Sequence, residues 1–133
     1  MSFKINGSIR TSLAAIALSA FAVTLAYGAP PAKTATTSKG PTLVDAKGMT
    51  LYTFDKDTDG KSACNGACAT NWPALKAESG AQPADDYTII ARDDGTLQWA
   101  YKGKPLYTWA KDTKPGDTTG DGFLNGAWHV AQP

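Results

Sequence analysis

Leu51-Tyr52-Thr53-Phe54-Asp55-Lys56-Asp57 returns further along the chain as Leu106-Tyr107-Thr108-Trp109-Ala110-Lys111-Asp112. The copies stand 55 residues apart, and the same spacing matches Lys47 with Lys102, Gly48 with Gly103 and Thr58 with Thr113. A match held at one fixed offset marks an internal repeat, which constrains the fold more tightly than any local propensity. Trp72 and Trp128 lie 56 residues apart, so one inserted residue separates the two halves.

Around each copy the pattern is that of short strands. Residues 42–44 and 49–54 flank Asp45-Ala46-Lys47-Gly48, and two extended runs about a Gly-containing turn predict a hairpin. Alternation puts Tyr52 and Phe54 on one face and Leu51 and Thr53 on the other. A Gly-, Asp- and Cys-containing loop runs through residue 70, and 72–75 reads as a short strand that Pro73 confines to an edge or a strand end. The polar segment 76–86, with Gly80 and Pro83, divides the repeats. Residues 87–92, 96–101 and 105–109, joined by Asp93-Asp94-Gly95 and Lys102-Gly103, predict a three-strand meander. A second long loop, 113–126, leads to a final strand over 127–131. Nothing reads as an amphipathic helix of ordinary length, and one helical turn around the cysteines is the most expected. The fold class is therefore all-β: one small antiparallel domain over 41–133, built from pseudo-repeats at about 41–76 and 87–131 that share a core.

The N-terminus reads differently. Lys4 and Arg10 precede an apolar run over 13–25 that ends in small residues, the pattern of a secretory signal peptide spanning 1–28. The run is shorter than the roughly 20 residues needed to cross a bilayer, so no membrane anchor is expected after cleavage. Residues 29–40, made of Ala, Pro, Lys, Thr and Ser, read as a flexible tether. The remaining 105 residues carry 11 basic and 12 acidic side chains, interspersed, which leaves no basic stripe for nucleic acid. Cys64 and Cys68 are the only cysteines, and export into an oxidising compartment predicts a disulfide between them. A helical turn would set their Cα atoms about 6 Å apart, within bridging range.

With both copies in view, Tyr-x-[Phe/Trp]-x-x-Asp resembles the secreted repeat of predicted bacterial lipoproteins. The 64–73 segment and the closing Trp128 strand are also similar to that family. The resemblance implies a secreted protein and brings no established activity with it. The chain departs from lipoprotein members in having no cysteine after the leader to carry lipid, which implies a soluble periplasmic or secreted protein.

Candidate functional residues follow from chemistry. Tyr52, Phe54, Tyr107 and Trp109, with the other rings, either fill a small β core or line a cleft for a planar or sugar ligand. Buried Tyr52 and Tyr107 each need an acceptor, for which Asp57 and Asp112 are the nearby candidates, and the same aspartates are expected to hold loop amides. Asp55, Asp57 and Asp59 ahead of Gly60 match the opening of a calcium loop, although position twelve is Gly66 and no helices flank it. Calcium is thus the one cofactor the sequence suggests. His129, the only histidine, lies on the face opposite Trp128 and Val130 and reads as a surface residue. Hydrolase and phosphotransferase constellations are missing, and Cys-x-x-x-Cys is not a thiol-exchange motif. The expectation is a non-enzymatic binding or interaction module of the bacterial envelope with an unidentified ligand or protein partner. The alternative is an envelope redox or metal-handling accessory protein using Cys64 and Cys68 or the Asp-rich loop.

Overall fold

The computed structural model describes residues 28–133, so the signal-peptide expectation for 1–28 lies outside the described residues except for Gly28. Among the described residues seven short strands form: β1 (Lys33–Thr37), β2 (Gly40–Val44), β3 (Tyr52–Phe54), β4 (Tyr87–Ala91), β5 (Leu97–Tyr101), β6 (Lys104–Pro105) and β7 (Trp128–Val130). Two short helical segments, α1 (Ala67–Asn71) and α2 (Phe123–Gly126), sit in the long loops. All named strand pairs are antiparallel: β1 with β2, β3 with β7, and β4-β5-β6 as a meander. The all-β reading and the repeat both hold.

The repeats are not laid side by side. They are interlocked. Tyr52 N–H donates to the Tyr107 carbonyl at 2.8 Å and Tyr107 N–H donates to the Tyr52 carbonyl at 3.0 Å, so the two motif tyrosines form a reciprocal antiparallel bridge. On the far side of β3 lies β7, from repeat two, with Tyr52 opposite Val130 and Phe54 opposite Trp128. On the far side of Tyr107 lies Ala74, from repeat one. The outer backbone bonds match in the same way: Ala131 donates to Leu51 at 2.8 Å as Leu75 donates to Leu106 at 2.9 Å. Each repeat therefore gives its Trp-bearing last segment to the other, about a pseudo-two-fold axis between Tyr52 and Tyr107.

Alternation then places the rings. Tyr52, Phe54, Trp128 and Val130 are buried on the inner face, while His129 is exposed on the outer one. Inside, Phe54, Trp128, Trp72 and Trp109 form a continuous stack with centroid separations of 4.2, 3.7 and 4.0 Å. Trp72 and Trp128 meet on the axis with ring planes 3° apart. Tyr52 stands edge-on to Trp72 at 5.3 Å, and Tyr107 edge-on to Trp128 at 5.0 Å. A second apolar cluster, including Leu43, Leu51, Trp99 and Leu106, packs beneath the meander.

Two local readings are corrected. Lys33–Thr37, inside the segment expected to be a flexible tether, is strand β1, paired in register with β2 from Lys33 opposite Val44 to Thr37 opposite Gly40. Its threonines favour extended backbone and its stability comes from the ladder rather than from burial, so a search for large apolar side chains passes over it. The loop over 113–126 ends in α2, which is no ordinary helix: Leu124 and Asn125 hold φ of 55° and 56°, the left-handed region. By contrast, the turn at Lys102-Gly103 has φ of 48° and 81°, the primed geometry that the short hairpin requires.

Close packing also fixes Gly120. A Cβ there would stand 2.6 Å from Trp72 Cη2 and 3.0 Å from Trp109 Cγ. Gly120→Ala is expected to lower stability by about 1–3 kcal/mol through overpacking, read as a reduced urea midpoint with an unchanged slope. A midpoint equal to wild type would mean that the Trp stack yields at this point.

Candidate functional site

The motif tyrosines find their acceptors across the axis. Tyr52 O–H donates to Asp112 Oδ2 at 2.6 Å, and Tyr107 O–H donates to Asp57 Oδ2 at 2.6 Å. Each hydroxyl is thus served by the aspartate of the other repeat, not by the one five residues along its own chain. The second carboxylate oxygens hold loop amides as expected: Ala63 N–H donates to Asp57 Oδ1 at 2.7 Å and Thr119 N–H to Asp112 Oδ1 at 3.1 Å. Burial, reinforced by the bonded carboxylate, pushes both phenols far above their usual range. Burial also raises the Asp57 carboxyl, against the opposing pull of the Ala63 amide, Tyr107 and Arg92.

What the repeats do not share is where a function private to one half can sit. Three differences stand out. Around Tyr107, Ser62 Oγ lies 2.7 Å from the hydroxyl and accepts from Arg92 Nη1 at 3.0 Å, while Arg92 also donates to Gln98 Oε1 at 2.6 Å and to the Cys64 carbonyl. The corresponding place beside β1 and β2 holds Thr37 and Thr42, whose hydroxyls are 2.9 Å apart. Arg92 and Gln98 are buried polar residues that sequence reading left as ordinary strand positions, since no spacing signals that a charge will turn inward.

The second difference is the disulfide. Cys64 and Cys68 are bonded, with Cα atoms 5.2 Å apart, beside α1. Cys64 is buried against the aromatic core, whereas the matching turn of repeat two brings in Gly120.

The third is on the outer face of β3 and β7. His129 Nε2 lies 2.8 Å from Asp55 Oδ2, both side chains exposed, and Thr53 stands opposite His129. Pro73 and Ala110 take these places in the other half, so the pair has no counterpart there. This face forms one wall of a groove of about 510 Å³, to which Lys39, Lys102, Lys104 and Asp121 also contribute. A recess of about 340 Å³ adjoins it and shares Thr53, Asp55, Lys102 and Lys104. Lys39 pairs with Asp121 at 3.4 Å, which leaves Lys102 and Lys104 as the groove's cations without an ion pair among the described residues.

The expected calcium ligands do not converge. Asp55 turns to His129, Asp57 to Ala63 and Tyr107, and Asp59 lies against Gly103, where any side chain would run into its carboxylate. Among the described residues no group of three or more His, Cys, Asp or Glu side chains is placed to hold a metal ion. The motif rings do not line the groove as a stacking platform either: Tyr52, Tyr107 and Trp109 are core, and Phe54 only touches the recess.

A family described as a secreted repeat of unknown function matches residues 33–76 and 88–132. The chain belongs to this family. Both matched segments begin and end close to the interlocked repeats described above, and the first includes β1. No curated protein and no solved structure matches the chain. No described helix is long and apolar enough to cross a membrane.

Two outcomes test this geometry. In a double-mutant cycle, Tyr52→Phe and Asp112→Ala should couple by about 0.5–3 kcal/mol, while Tyr52→Phe and Asp57→Ala should be closer to additive. Coupling within one repeat instead would contradict the crossed pairing. The second concerns acid. The Thr113 backbone amide, ahead of Lys114, holds the Asp117 carboxyl down to about 2 from an ordinary 3.8. A depressed carboxylate stabilises above its unfolded pKa, so this contribution is complete above 3.8 and fades as pH falls towards 2. Asp117→Asn is expected to lower Tm at neutral pH and to flatten the acid limb in that window.

Proposed function

We propose that this secreted repeat protein is a non-enzymatic binding module of the bacterial envelope, periplasmic or released, whose ligand-facing surface is the groove over β3 and β7. The observation that carries this reading is the exposed His129–Asp55 pair, which has no counterpart in the other half and opens into the groove. The motif tyrosines and Trp109 are buried away from the groove, and Phe54 and Asp57 border only the adjoining recess. Lys102, in the two-residue turn, and Lys104, at the start of β6, give the groove cationic contacts that suit a carboxylate or phosphate. Asp55 holds the imidazole in place beside them.

Amide NMR titration with inorganic phosphate, citrate and an acidic oligosaccharide tests the reading. Binding should move the signals of Thr53, Asp55, Lys102, Lys104 and His129, and Lys102→Ala with Lys104→Ala should weaken it about tenfold, or about 1.4 kcal/mol. Shifts confined to other surfaces, or affinity untouched by the double substitution, would overturn it.

A further inference from the structure

Tyrosine, a second aromatic ring, aspartate and the later tryptophan are what both repeats retain, and the fold gathers them into one path. A buried phenol is satisfied by a backbone carbonyl without desolvating any charge. Here a carboxylate faces each hydroxyl instead, twice, at 2.6 Å. A carboxylate can accept the proton itself; a carbonyl cannot. Each tyrosine also stands edge-on to a tryptophan, and the three tryptophans follow one another at 3.7 and 4.0 Å. Trp109 ends the series beside Phe123, an exposed ring 4.9 Å away.

We propose that this set is a proton-coupled one-electron relay, a redox activity separate from the groove, in which Tyr52–Asp112 and Tyr107–Asp57 are the terminal sites and the Trp stack connects them to the surface. A high-potential one-electron oxidant, of the class of a ferryl haem or a photo-oxidised metal complex, takes an electron from Trp109. Trp72 refills Trp109, and Tyr52 refills Trp72. As that electron leaves, the Tyr52 O–H bond breaks and its proton passes to Asp112 Oδ2, leaving a neutral tyrosyl radical beside a neutral carboxylic acid. The oxidant has gained one electron and no charge is stranded in the core. One electron from a hydroquinone-class donor reduces the tyrosyl radical as the proton returns from Asp112, restoring the neutral phenol and the carboxylate. Trp128, Tyr107 and Asp57 form the equivalent branch, where Ser62 donates into the Tyr107 oxygen and keeps its proton aimed at Asp57.

The test is flash photolysis of the full folded protein with a ruthenium tris-bipyridine photo-oxidant and an irreversible electron acceptor. Tryptophanyl absorption should appear first and decay into tyrosyl absorption, with slower conversion in deuterated buffer. In the variant carrying Tyr52→Phe and Tyr107→Phe, the tryptophanyl signal should persist at least about tenfold longer. Asp57→Asn with Asp112→Asn should slow the conversion while leaving the first step intact. If a double variant fails to fold, the single Tyr52→Phe and Tyr107→Phe proteins, each keeping one branch of the shared stack, should convert tryptophanyl to tyrosyl radical at about half the wild-type rate. Absence of the tyrosyl signal in wild type, no solvent isotope effect, or an unchanged tryptophanyl lifetime without the tyrosines would each overturn the relay.

Discussion

The reciprocal backbone bridge between Tyr52 and Tyr107 is the constraint on which the other arrangements rest. Once two equivalent residues pair with each other, whatever surrounds one must surround the other after a half-turn. Trp72 and Trp128 are then forced face to face, and the flanking Phe54 and Trp109 extend the stack to either side. The same rotation carries Asp57 to Tyr107 and Asp112 to Tyr52. Satisfying a buried phenol thus becomes a contact between repeats, and the polar core holds the halves together as directly as the apolar one does.

Symmetry also separates scaffold from specialisation. A duplicated motif invites a search for two equivalent sites, yet its tyrosines and second aromatic rings are buried. The features that escape duplication are an exposed histidine on an aspartate, a disulfide in one loop only, and an arginine turned inward behind one tyrosine. The last two lie together, because Arg92 binds the carbonyl of the bridged Cys64 and the serine that bonds Tyr107. One half of the molecule is cross-braced and the other relies on threonines.

Much of this was legible in the sequence, to a definite depth. The fixed offset exposed the repeat, alternation at Tyr52 and Phe54 gave the buried face, and Trp128-His129-Val130 correctly set the histidine outside. The need of each tyrosine for an aspartate was legible from burial and valence. Which aspartate was not, because two repeats related by rotation look the same in a linear comparison whether their contacts are internal or exchanged. β1 escaped for another reason: a strand held by its ladder carries little hydrophobic signal. In the apparent calcium loop the alternate aspartates lie on an irregular turn and point along different directions, each towards its own partner.

The exchanged last strands bear on how the chain folds. Repeat one has no complete sheet of its own, for β3 is bordered by β7 of repeat two, which begins 74 residues after Phe54 at Trp128. A chain emerging N-terminus first can close the β1–β2 hairpin early, but the aromatic core waits for Trp128. Contacts so distant in sequence form slowly. Until β7 is available Phe54 has no ring to stack on and β3 lacks that neighbour, so the core closes only as the two repeats meet.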